Sequence, residues 1–188
     1  MTRTPAPGRG HTVLRRRSWP VLCGIALVAL GIGMAAAVLK VTSVNGFRGG
    51  WQGIPVYLAL AGVLGRIANC KVVLREDDVL VVNPLRSHTL PRSAITAAEV
   101  DDHGTLELRL DEDHTVGAFA FGGSLVDRVR GTSEQAARTV TAWLDAPHSP
   151  PPTATPRAHW TRAPYADAAL TACAVTAAVG AVWMGLSG

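Results

Sequence analysis

The chain has 188 residues and a formal charge of +4, with 48% hydrophobic and only 17% charged residues. Soluble domains run nearer a quarter charged, so this composition excludes one ordinary water-soluble unit, and its hydrophobicity excludes a disordered chain. Three scattered cysteines, Cys23, Cys70 and Cys173, exclude a disulfide framework or a zinc knuckle.

Charge is unevenly placed. Of the 14 acids, 13 lie between Glu76 and Asp145, and the window from Cys70 to Ala146 that contains them holds eight bases, a local net of −5. The basic balance of the whole chain therefore does not point to nucleic acid. The remaining bases stand at the ends of apolar runs, as they do in membrane proteins.

Residues 1–18 read as a basic tail carrying Arg3, Arg9, Arg15, Arg16 and Arg17. The uncharged run from Trp19 to Leu39 follows; at about 1.5 Å per residue it crosses a hydrocarbon core of about 30 Å. A second run, Trp51 to Gly65, is shorter and spans only if Arg66 snorkels to the surface while Ile67 and Ala68 extend the helix; the alternative is a helix lying in the interface. Together they predict a two-helix transmembrane hairpin at 19–68, with helices at 19–40 and 51–68. The third run, Ala168 to Leu186, predicts a helix at 166–187.

The loop after the first run holds only Arg48, whereas Arg66 and Lys71 follow the second and Arg157 and Arg162 precede the third. Positive ends alternate as in a three-span protein with N-terminus and central domain inside and C-terminus outside. Trp19, Trp51, Trp160, Tyr165 and Trp183 fall near the expected interfaces. Arg15–Arg17 ahead of an apolar run loosely resembles a twin-arginine signal, but that run exceeds a usual signal core, so the expectation is an anchor that stays. Small residues at four-residue spacing (Ala29, Gly33 and Ala37; Ala61 and Gly65; Cys173, Ala177 and Ala181) suit close helix packing, a weak signal in a chain this rich in Ala and Gly.

From Cys70 the period changes to two, and residues 70–146 read as a small α+β domain. Cys70–Leu74, Val79–Val82, Ser87–Leu90, Ile95–Val100, Leu106–Leu110 and Thr115–Phe121 are strands, separated by turns rich in Asp, Asn, Pro and Gly. Such spacing without intervening helices predicts an antiparallel meander. One helix closes it, with Thr132 and Gln135 as a capping box and Ala136, Val140, Trp143 and Leu144 on one face, Trp143 as a core plug. Residues 147–164 hold six of the 12 prolines and read as a semi-rigid linker, with a recognition ligand as the alternative.

Two phrases in this domain resemble a known family. Val79-Leu80-Val81-Val82-Asn83-Pro84-Leu85-Arg86 and Leu90-Pro91-Arg92-Ser93-Ala94-Ile95 are similar to stretches of the bacterial pleckstrin-homology-like (PH-like) domains of small membrane proteins, the low-molecular-weight protein antigen type. The resemblance covers about 75 residues; Arg92 stands where an aromatic is common, and Ala94 where an acid or polar residue is. It implies a PH-like antiparallel β-barrel or roll closed by one C-terminal helix, a membrane location, and no catalytic residue.

No nucleophile elbow, phosphate-binding loop or zincin motif occurs. Asp111-Glu112-Asp113-His114, echoed by Asp101-Asp102-His103, is the densest set of possible ligands, yet both clusters fall at hairpin turns, where Asp serves local hydrogen bonding. A phosphoinositide site needs converging bases, but the first hairpin carries Glu76, Asp77 and Asp78; Arg86, Arg92, Arg128 and Arg130 are left as scattered surface arginines. No catalytic, cofactor-binding or metal residue is expected.

The expected protein is thus a non-catalytic interaction module on the cytoplasmic face of a bacterial cell membrane, binding through an exposed sheet edge or the groove beside its helix. Its partners would be the lipid bilayer and a protein or second copy of itself, without nucleic acid or a specific lipid headgroup. The alternative is a structural subunit of a transporter or envelope complex assembled through its helices; an enzyme using the acidic turns ranks last.

Overall fold

The computed structural model describes residues 11–16, 18–111, 114–122, 131–147 and 155–186. The chain is an α+β protein that divides into two compact units, one formed by residues up to Arg16 with Cys70–Thr161, the other by Arg17–Asn69 with Arg162–Gly188.

The helical unit contains α1 (Ser18–Asn45), the single turn α2 (Phe47–Gly50), α3 (Gly53–Ala68) and α5 (Pro164–Leu186). Among the described residues, α1 and α5 are long and apolar enough to cross a membrane. At about 1.5 Å per residue the 16 residues of α3 fall short of a hydrocarbon core of about 30 Å. Helix α1 runs five residues beyond Lys40 and α2 follows, so most of the expected loop from Val41 to Gly50 is helical.

Helix α3 packs on both long helices. Tyr57 donates to the Leu27 carbonyl of α1 at 3.3 Å, and a Cβ on Gly62 would come within 2.5 Å of Leu170 in α5, so only glycine permits that approach. Arg66 does not snorkel. It is 6% exposed, and its Nη2 donates to Asp167 Oδ1 on α5 at 2.6 Å. Asp167 Oδ2 also accepts the Ala163 N–H at 3.1 Å, closing the first turn of α5.

The β unit holds two antiparallel sheets. One has the order β1-β2-β3-β4-β8, built from Thr12–Leu14, Lys71–Leu74, Asp78–Val82, Arg86–Pro91 and Arg157–Trp160; the other is β5-β6-β7, from Ala97–Val100, Leu106–Arg109 and Thr115–Ala118. The sequence pattern implied one continuous meander, and the family resemblance implied that it closes into a barrel or roll. The meander instead breaks at a 3₁₀ turn, Arg92–Ala94, and β4 does not pair with β5, so each sheet is open. A second 3₁₀ turn, Phe119–Phe121, shortens the last expected strand.

Two strands come from segments read as tail and linker. Thr12–Leu14 pairs with Val72–Leu74, and Arg157–Trp160 pairs with Arg86–Thr89, so the five-stranded sheet gains both of its edges from outside 70–146. Between the sheets lie Val72, Leu74, Val79, Val81, Leu90, Leu106 and Leu108, covered by Ala136, Ala137 and Val140 of α4 (Thr132–Asp145). The expected apolar face of this helix is the buried one. Its capping box is not formed: Gly131, at φ +59°, is the N-cap, Thr132 is the first helical residue, and the Gln135 N–H bonds the Gly131 carbonyl at 3.0 Å.

Candidate functional site

Two open sheets expose four edges, and the side chains treat them differently. Strand β1 is three residues long, and β8 carries Arg157 and His159 behind Pro156, the short, charged, proline-flanked edge that resists further pairing. At β7, Asn83 takes the place of a neighbouring strand: its Nδ2 donates to the Gly117 carbonyl and its Oδ1 accepts the Phe119 N–H, each at 2.8 Å. Its backbone carbonyl accepts the Thr161 hydroxyl at 2.7 Å, and Thr161 also shares a 2.8 Å hydrogen bond with Ser87.

The fourth edge is β5. Asp101 N–H bonds the Thr105 carbonyl at 2.9 Å, which sets the ladder phase: Glu99 turns its backbone toward Glu107, while Ala98 and Val100 turn theirs away from β6. Among the described residues, the N–H and C=O groups of Ala98 and Val100 have no backbone partner. A groove of about 520 Å³ runs beside this edge, between Ile95–Glu99 and Thr141, Leu144 and Asp145 of α4. Ala98 and Val100 lie on the core face with Leu108 and Leu106, so a strand laid here would turn alternate side chains to that face and to the face of Glu99.

Arg92 anchors the groove. Its side chain is buried, not part of a surface patch; Nη2 donates to the carbonyls of Trp143, Leu144 (3.1 Å) and Ala146 at the C-terminus of α4, and the guanidinium lies 4.6 Å from the Trp143 ring centroid. Carbonyls at a helix C-terminus carry partial negative charge, so a cation caps them well. No carboxylate pairs with Arg92 among the described residues. Trp143 packs on the core and donates its indole N–H to the Arg75 carbonyl at 2.8 Å. The charge of Arg92 and the local role of Asn83 gave no sequence-level sign of these long-range bonds.

Of the other candidates, Arg86 is exposed, and Arg128, Arg130, Glu112 and Asp113 lie outside the described residues. Both acidic clusters close turns. Asp101 Oδ1 accepts the N–H groups of His103 and Thr105 at 2.9 and 2.6 Å, and Asp111 Oδ1 accepts from the His114 backbone at 2.7 Å. Among the described residues no three His, Cys, Asp or Glu side chains are grouped to hold a metal ion. The proton affinity of His88 is displaced: burial, then Arg86, then His159 lower its pKa.

Comparison with protein-family models, with curated proteins and with solved structures finds no match.

Proposed function

We propose that this chain is a membrane-anchored, non-catalytic interaction protein whose β unit, a PH-like domain on the cytoplasmic face, binds an extended segment of a protein partner by strand addition at β5. The observation that carries the reading is the open β5 edge beside a groove of mixed polar and apolar lining, when β7 is covered by Asn83 and the outer strands are short or charged. Strand addition takes affinity from main-chain hydrogen bonds and selectivity from alternate side chains, so it requires no reactive constellation. Two helices able to cross a membrane support the anchoring, and the bases at the segments joined to the β unit, Arg15, Arg16, Lys71 and Arg162, support the cytoplasmic placement.

The test places a photo-crosslinking residue at Thr141 in the full chain, in native membranes, with and without Ala98→Pro. Proline there removes an outward N–H and leaves the bonds to β6 intact. A discrete crosslinked partner that disappears with Ala98→Pro supports the reading; an unchanged crosslink sinks it.

A second reading, a structural subunit assembled through its helices, is favoured by Ala29, Gly33 and Ala37. This small-residue stripe of α1 is exposed, and Gly33 has no neighbour within reach of a Cβ. Replacing α1 by an unrelated apolar span would abolish assembly under this reading and leave it intact under the first.

A further inference from the structure

The strand registers define two ends of the β unit. Leu14 pairs with Val72, Lys71 with Val82, Ser87 with both Val82 and His159, and Arg86 with Trp160. The end of β1, the start of β2 and the end of β8 therefore stand at one end of the five-stranded sheet. These are the points where the chain leaves for α1, arrives from α3 and leaves for α5, and only Thr161–Ala163 separate Trp160 from α5. Asn83 brings Gly117 of the second sheet, and Phe119 in the turn that follows it, to the same end.

That end is apolar where a soluble domain would be polar. Leu85, Phe119 and Trp160 are 58%, 42% and 60% exposed, and the Thr161 N–H bonds the Leu85 carbonyl at 3.0 Å, holding Trp160 next to the Leu85 turn. An open groove of about 560 Å³ runs from Pro84 and Leu85 to Phe119. Arg86 flanks it, with Arg15, Arg16 and Lys71 at the same strand ends and Arg162 just beyond. Of the two acids in the nearby turn, Asp101 is turned in upon backbone N–H groups and Asp102 is exposed. The opposite end carries Glu76, Asp77 and Asp111.

We propose that this end is a lipid-seating face: Leu85, Phe119 and Trp160 enter the headgroup–acyl boundary of the bilayer, and Arg86 meets lipid phosphates. Aromatic side chains with an apolar body settle at this depth, and anionic lipid attracts the flanking bases while repelling the far, acidic end. The proposal rests on the membrane reading above and is independent of the β5 groove.

The experiment uses the full chain in vesicles of phosphatidylcholine and phosphatidylglycerol. In a background with Cys23, Cys70 and Cys173 replaced by alanine, an environment-sensitive fluorophore is attached to Leu85→Cys, Phe119→Cys, Glu76→Cys or Ile32→Cys, and spin-labelled lipids serve as quenchers. Blue-shifted, quenched emission at 85, 119 and 32, with water-like unquenched emission at 76, is the expected result. Quenching at 32 but not at 85 and 119 overturns the lipid-seating face alone, whereas no quenching at 32 overturns the membrane reading and this proposal with it. The native cysteines are kept in a second measurement, in which brominated lipid must remove more tryptophan emission from the unaltered chain than from Trp160→Phe. Equal losses overturn the proposal.

Discussion

The Asn83 side chain accepts the Phe119 N–H at 2.8 Å and, through its other amide atom, donates to Gly117, so one residue of the β3–β4 turn acts as a strand for β7. Replacement by alanine removes both bonds and uncovers two backbone groups. Asn83→Ala is expected to destabilise the β unit by about 1–3 kcal/mol. Asn83→Asp keeps the acceptor but sets a carboxylate against the Gly117 carbonyl, so it should not restore stability. Urea unfolding of the detergent-solubilised chain measures both.

Arg92 makes a comparable link to α4. Arg92→Met removes the cap on three carbonyls and the contact with Trp143, at a cost of about 1–3 kcal/mol. Because Arg92 and Trp143 touch, the costs of Arg92→Met and Trp143→Phe should not add in the double variant. Additive unfolding energies would show that the two side chains act separately.

These links explain what could be read from the residues. Helix α4 was legible because Ala136, Val140 and Trp143 repeat at its period, and β6 because Leu106 and Leu108 alternate with Glu107 and Arg109. Strands β1 and β8 were not legible. Each is short and set among Arg or Pro residues, and their extended form depends on pairing with β2 and β4, distant in sequence. The bonds of Arg92, Asn83 and Arg66 depend likewise on partners that no local pattern names. For the candidate site, the sequence reading reached an exposed edge or a groove beside the helix; which edge is open depends on ladder phase and on Asn83.

The Arg66–Asp167 pair joins α3 to α5 with Arg66 buried and Asp167 partly exposed. Asp167→Asn removes the carboxylate charge facing the guanidinium and is expected to cost about 2–3 kcal/mol, below the range for a fully buried pair because Asp167 is partly exposed. The double variant Arg66→Met, Asp167→Leu removes both charges and should melt at a higher temperature than either single variant. Thermal unfolding in detergent decides this; a double variant less stable than both singles would contradict it.

His88 sets a pH dependence. Its folded pKa lies below the ordinary 6.5, so the folded chain favours the neutral ring while the unfolded chain takes up the proton first. Its contribution to stability is present above about pH 6.5 and is lost as pH falls through the lowered folded pKa. The protonated ring also meets Arg86 and His159, so amide exchange along β8 should quicken on acidification. His88→Asn should flatten that part of the stability profile.

Ladder phase along β5 yields the most direct check of the candidate site, since it needs no partner. Glu99 turns its N–H toward Glu107, so Glu99→Pro removes a ladder bond and places a ring against β6, at a cost of about 3 kcal/mol or more. Ala98, one residue away, turns its N–H outward, so Ala98→Pro removes no bond within the sheet and costs only the strain of fitting its backbone angle. The exposed Glu99–Arg109 ion pair, at 2.8 Å, also goes with Glu99→Pro, but an exposed pair contributes at most about 1 kcal/mol. Glu99→Gln measures that part separately. Unfolding midpoints of Ala98→Pro and Glu99→Gln should therefore lie near that of the unaltered chain, with Glu99→Pro far below. If Ala98→Pro instead unfolds the β unit as readily as Glu99→Pro, Ala98 is engaged within the fold and β5 is not an open edge.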